Sequence, residues 1–206
     1  MSLRRFRLVL NIGFGFLLVL CAGSVRADPA KIFGSGAFVV AGWIQRDDCR
    51  ETSVGVVYNE VSTRAVGATG TVESSASLLV NVSIADFCTG TFTATSSEGT
   101  AELTLQSGLN DARLIGTAVG QTLPTGAAAE FAVDLTFIAS SEVQRGFILQ
   151  RQSVGNSFRS SSKFQSRIRE AVATGSVRLN GLELISGPSG QGSLATNADS
   201  TFERDF

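Results

Sequence analysis

The amino-acid sequence predicts an all-β protein: an antiparallel β-sandwich of about ten short strands, with a small closed β-barrel as the alternative. Three observations point there. No window carries sustained helical periodicity. The 206 residues include 22 glycines and 14 phenylalanines and lean on Ser, Thr and Val, a composition that suits strands joined by loops. Apolar runs with a period of two also recur along the whole chain, with turn signals between them.

The first residues concern destination rather than fold. Arg4, Arg5 and Arg7 precede an apolar run over residues 8–20, and Val25-Arg26-Ala27 places small residues where a signal peptidase needs them. Residues 1–27 are therefore read as a signal peptide, with the mature chain starting at Asp28. The run is too short and too glycine-broken for a membrane span. An alternative makes Cys21 a lipoprotein acceptor, but the leucine before it is a poor fit. The expected location is secreted or periplasmic, in a bacterial context.

Removing the leader takes away four arginines and no acid. The 17 Lys+Arg against 18 Asp+Glu of the full chain become 13 against 18, a net charge of −5. A mildly acidic chain is not a general nucleic-acid binder, so no nucleic-acid partner is expected. Residues 28–190 are read as one β domain able to bury its own core, and residues 191–206 as a tail, disordered or adding an edge strand. Of three cysteines, Cys49 and Cys88 remain after cleavage, and two cysteines in an exported chain are expected to pair. On the chain-entropy model, closing a loop of about 40 residues stabilises by roughly 3–4 kcal/mol.

Residues 37–46 are apolar on both faces, as in a covered strand, and turn at residues 47–53. Residues 54–58 return as a second strand, and residues 61–75 read as a loop. Residues 77–87 alternate cleanly, with Leu78, Val80, Val82 and Ile84 inward. Residues 91–95 and 101–106 read as two short strands, and 111–119 as another. Residues 130–139 carry the clearest core stripe: Phe131, Val133, Leu135 and Phe137. Residues 140–162 look loop-like around a possible edge strand at 146–149. Residues 163–175 are extended, and Asn180-Gly181 between apolar runs signals a two-residue hairpin. Trp43 precedes Cys49 instead of lying between the cysteines, which argues against an immunoglobulin domain.

The chain has no histidine, so serine–histidine and cysteine–histidine catalysis and histidine metal sites are excluded. No catalytic residue is assigned and the protein is not expected to be an enzyme; a carboxylate-dependent glycosidase is the remote alternative. Asp134 should point away from the phenylalanine stripe, into solvent or a salt bridge. No cofactor is expected, with one exception. Asp47 and Asp48 before Cys49, and Asp86 before Cys88, could bring three carboxylates together as a Ca²⁺ site. The competing reading is that these aspartates bond the amides of their own turns.

Charge is also uneven. Residues 145–178 hold seven Lys+Arg (among them Lys163, Arg167 and Arg169) against Glu170, about +6 in a chain of −5. Within residues 163–175, Lys163, Arg167 and Arg169 share one face, and Phe164, Ile168 and Val172 share the other. A half-buried strand with a basic outer face is expected, an anion-binding face for an anionic polymer or cell-envelope component. Balancing of these cations by neighbouring acids is the competing reading.

An ordered set of motifs adds a resemblance. Trp43-Ile44, Asp48-Cys49, Asp86-Phe87-Cys88-Thr89-Gly90, Leu109-Asn110-Asp111-Ala112-Arg113-Leu114, Val133-Asp134-Leu135-Thr136-Phe137 and Ala173-Thr174-Gly175-Ser176-Val177 together resemble a group of exported bacterial proteins without a known activity. The likeness implies a β domain with one disulfide. It departs at Phe137, where tryptophan is expected, and at Asp48, where glycine is expected. The cysteine spacing is also similar to that of chaperone–usher pilins, but residues 201–206 lack the pilin terminal strand. The expected role is an exported, non-catalytic module for binding or surface interaction, with a structural subunit of a surface assembly as the alternative.

Overall fold

A computed structural model describes residues 30–66, 72–155, 158–185 and 190–205. The expected signal peptide, its cleavage point and Cys21 lie outside these residues. Ten strands follow one another: β1 (Ala30–Arg46), β2 (Arg50–Val66), β3 (Val72–Asp86), β4 (Thr91–Leu105), β5 (Asp111–Leu123), β6 (Ala127–Ala139), β7 (Gln144–Val154), β8 (Phe158–Leu179), β9 (Leu182–Glu183) and β10 (Gly190–Asp205). All pairings are antiparallel, and eight strands close in the order β1-β2-β3-β4-β5-β6-β8-β10, with β10 returning to β1. The sandwich is thus corrected to the closed barrel that stood as its alternative.

The closing strand explains the correction. Residues 191–206, read as a tail or an edge strand, belong almost entirely to β10, which is hydrogen-bonded on both sides. Its alternation is hard to see because Gly190 and Gly192 occupy inward positions. Small residues are needed there: a side chain on Gly190 would run into the Trp43 indole, and one on Gly192 would strike the Val40 carbonyl and press on the Phe137 ring.

Strands are also longer than expected. The stretch 61–75, read as a loop, is strand up to Val66 and again from Val72. The segments 91–95 and 101–106 are one strand, continuous through Gly99, where any side chain would strike the backbone of Thr117 on β5. Asn180 and Gly181 take φ of 49° and 82°, as a two-residue hairpin requires.

The interior follows the period-two rule. Val39, Ala41 and Trp43 of β1, Leu78 and Val80 of β3, and the expected Phe131–Phe137 stripe of β6 all point inward and are buried. An eight-stranded barrel leaves just enough room for such side chains to fill it. Leu109, in the turn between β4 and β5, plugs one end, and Ile185 packs at the other. Burying each of the larger ones contributes about 1.5–3 kcal/mol.

The wall of the barrel is uneven in height. β4 stops at Leu105, β5 begins at Asp111 and β6 stops at Ala139. Strands β3, β2, β1, β10 and β8 run past that level, and β7 adds to the outer side of β8. Above the barrel therefore stands a six-stranded upper sheet, β3-β2-β1-β10-β8-β7. Its edges, β7 and residues 72–77 of β3, have no described strand beside them. Between β6 and β7, four residues (140–143) span two on β8, because Ala139 pairs with Ala171 and Gln144 with Ile168. This two-residue excess is a bulge that keeps the face parity unchanged. Ser141 holds it, its hydroxyl accepting from the Glu170 amide at 3.0 Å.

Candidate ligand-binding face

Two regions contain the candidate residues, and they lie at opposite ends of the strands. At the lower end, Cys49 and Cys88 are bonded, with α-carbons 5.3 Å apart at a sequence separation of 39. The bond ties the β1–β2 turn to the β3–β4 turn, one step beyond the last rung of the β2–β3 ladder, Arg50 with Asp86. Each aspartate caps its own turn. Asp47 Oδ1 accepts from the amides of Cys49 (3.2 Å) and Arg50 (2.7 Å). Asp86 Oδ1 accepts from those of Cys88 (3.0 Å) and Thr89 (2.9 Å). Hydrogen bonding from Thr89, first through its amide, holds the Asp86 carboxyl below the usual carboxylate range. Among the described residues no three acidic or cysteine side chains gather as a metal site. Asp47 and Asp86 are thus committed to the amides of their own turns, and Asp48 lies exposed in the first of them.

The basic residues lie at the upper end, with an orientation opposite to the expected one. Along β8, Ala171, Ala173 and Val177 are buried in the barrel. Lys163 and Arg167 have the same parity and pair without a break along β10. They therefore occupy the face continuous with the barrel interior. Phe164, Ile168 and Val172 face outward, 36–46% exposed. The apolar residues marked the wrong side because the upper sheet has no core to fill, so hydrophobicity loses its directional meaning there.

This inner face is organised in rungs. One rung crosses the six strands as Val72, Arg64, Phe33, Ser200, Lys163 and Leu149. The next toward the strand tips places Val66, Lys31, Phe202, Ser161 and Arg151 side by side. Nearer the barrel, Glu60, Ala37, Thr196, Arg167 and Arg145 form another. The central strands β1 and β10 thus supply a floor of phenylalanine and small hydroxyl side chains. Arginines and lysines border it, mostly on β7 and β8, and Glu60 is the acid among them. Two cations lie over rings: the Lys163 ammonium is 5.7 Å from the Phe147 centroid and that of Lys31 5.8 Å from Phe202. Near the tip, Arg151, Arg159, Ser161 and Phe202 line a depression of about 390 Å³.

Glu60 is engaged at the barrel mouth, where it accepts from the Tyr58 hydroxyl at 3.2 Å. Burial, with the Glu60 charge beside it, pushes the Tyr58 hydroxyl up to about 12, so it stays a neutral donor. Arg169 is also engaged. It shares the inward parity but donates to the Ser141 carbonyl, to Asn110 Oδ1 at 2.5 Å and to the Gly108 carbonyl at 3.4 Å. Arg169 therefore fastens the bulge to the plugged end of the barrel, and of the expected trio Lys163 and Arg167 line the basic face. Arg178 points outward near the other end of β8 and pairs with Glu183 at 3.1 Å. Asp134 also points outward, as its alternation requires, and pairs with Arg113 at 3.1 Å.

Sequence reading missed the far border of the face. Lys31, Phe33 and Arg64 lie in stretches read as the start of the mature chain and as a loop, and Phe202 lies in the supposed tail. The alternation Lys31-x-Phe33-x-Ser35 was a usable signal. Comparison with protein-family models, with curated proteins and with solved structures finds no match to this chain.

Proposed function

We propose that this protein is an exported, non-catalytic binding module that holds an anionic polymer or envelope component on the inner face of its upper sheet. The observation that carries this reading is charge segregation. Arg145, Arg151, Arg159, Lys163 and Arg167 from one side, with Lys31 and Arg64 from the other, share one face on which Glu60 is the single carboxylate among the described residues. A surface lined by one sign of charge concentrates counter-ions and steers polyanions toward it. Exposed ion pairs such as Arg113–Asp134 occupy the outer surface and leave this face cationic.

Binding of labelled dextran sulfate, titrated against salt, tests the reading. Binding should be measurable at low ionic strength and fall steeply as salt screens it. The triple variant R151E/K163E/R167E should abolish it without lowering Tm. Absence of any salt-sensitive binding by the intact protein overturns the proposal.

A structural subunit is the second reading, favoured by the two unpaired edges. Edge strands are templates for pairing with another chain, and β7 carries Phe147, Ile148 and Leu149, each 46–59% exposed. Light scattering coupled to size-exclusion chromatography decides: growth of assemblies with concentration supports the subunit, and a monomer at every concentration removes it.

A further inference from the structure

We infer that the ligand of the basic face is a linear acidic polysaccharide, its sugar rings seated on Phe33, Phe147 and Phe202 and its carboxylates or sulfates held by the neighbouring lysines and arginines. This rests on the anion-binding reading and narrows it to one chemical class. Three features select among anionic ligands.

The first is what lies beneath the face. A lipid needs a cavity for its acyl chains, and the barrel that continues below is filled, with Phe137, Leu78, Leu114 and Leu135 fully buried and Leu109 closing the top. Only a ligand that lies on the surface can be accommodated.

The second is the make-up of the floor. A face for charge alone would need cations and nothing else. Here Phe33 is 45% exposed and Phe147 59%, and serine hydroxyls (Ser35, Ser161, Ser200) alternate with the aromatic rings. Aromatic faces pack against the C–H faces of sugars, hydroxyls exchange hydrogen bonds with sugar hydroxyls, and the cations take the acid groups.

The third is spacing and access. Lys163 with Phe147 spans β8 and β7, and Lys31 with Phe202 spans β1 and β10. Strands lie about 4.8 Å apart, which puts the two cation–ring pairs roughly 10 Å from each other across the sheet. A polymer carrying an acid group at regular intervals can meet both. It can also run off the ends, because the wall is missing where β4, β5 and β6 stop short.

The test compares four probes at one low ionic strength: oligogalacturonate, its neutral methyl ester, polyglutamate and oligo-dT. Oligogalacturonate should bind most tightly, and the methyl ester should not bind. Phe147→Ala and Phe202→Ala should each weaken oligogalacturonate about five- to tenfold and leave polyglutamate unchanged. Lys163→Ala should weaken both. If Phe202→Ala lowers Tm, the more exposed Phe147→Ala decides. Equal affinity for polyglutamate, or unchanged oligogalacturonate binding in Phe147→Ala, overturns the polysaccharide and leaves a general polyanion face. Tighter binding of oligo-dT overturns it in favour of nucleic acid. If no polyanion binds at all, the anion-binding reading itself fails.

Discussion

The barrel body and the upper sheet share five strands, β1, β2, β3, β8 and β10, and the inward faces of these strands could hardly differ more between the two. β1 carries Val39, Ala41 and Trp43 inside the barrel, and Lys31, Phe33 and Ser35 on the same face above it. β8 carries Ala171, Ala173 and Val177 below, and Lys163 and Arg167 above. The change of chemistry comes where β4, β5 and β6 end. Below that level an inward side chain meets the opposite wall in a close-packed and mostly apolar interior, where Thr95 and Ser97 are the buried polar residues among those described. Above it, the inward side chain meets water, and charge has no desolvation cost. Facing direction is thus a matter of strand geometry, whereas burial is decided by whether the wall continues around.

The largest test of this contrast removes the closing strand. A chain terminated before Gly190 loses both ladders of β10, to β1 and to β8, and leaves the interior open to water. No cooperative thermal unfolding should remain. Retention of a cooperative transition at an unchanged Tm would mean that the sheet is open and β10 peripheral.

Next comes a matched pair of phenylalanines on the same inward parity. Phe137 is fully buried and Phe147 is 59% exposed. Phe137→Ala should cost about 3–5 kcal/mol through lost transfer energy and a cavity. Phe147→Ala should lie within about 0.5 kcal/mol of the parent in denaturant unfolding. Similar costs at both positions would show that something covers the upper sheet.

The disulfide gives a slightly smaller effect at the far end of the molecule. Replacing Cys49 and Cys88 with serine should cost roughly 3–4 kcal/mol on the chain-entropy model, read as a lower denaturation midpoint. The bond ties the lower turns, so dextran sulfate binding should be unchanged wherever the variant is folded. A loss of binding in the folded variant would couple the two ends and contradict their independence.

Much of the barrel body was legible in the sequence, and much of the upper sheet was not. The Phe131–Phe137 stripe and the Leu78–Val82 alternation read correctly because a filled interior imposes apolar residues at every second position. Asp47 and Asp86 were readable as turn-formers for a local reason, since an aspartate two residues before an amide can bond it. The stretch 61–75 was misread because Ser62, Arg64, Ser74 and Ala76 face water on a sheet with no core, so the alternation carries no hydrophobic contrast. β10 was misread because its inward glycines make room for Trp43 and Phe137. Closure itself is a long-range pairing between β1 and β10, which no local pattern encodes. Lys163 and Arg167 were recognised as a group but given the wrong side.

The smallest effect concerns the outer face of the upper sheet, where Asp199 sits opposite Gly34 and Asn197 opposite Gly36. Both side chains lie across their glycine, in the space a β-carbon would occupy. The two contacts differ by one charge. Burial against the strand pushes the Asp199 carboxyl above its usual value of 3.8. Between that value and the raised one, the folded chain holds a proton that the unfolded chain has released, so stability falls as pH rises through the window. Above the window the cost is complete. Asp199→Asn copies the neighbouring Asn197 arrangement without the charge. It should raise stability at neutral pH by less than about 1 kcal/mol, because water screens much of the penalty. The gain should shrink as pH falls and disappear below the usual carboxylate value, a trend that melting curves at several pH values would follow. A variant less stable than the parent at every pH would mean instead that the Asp199 carboxylate has a favourable partner, and that charge on the outer face contributes to holding the upper sheet together.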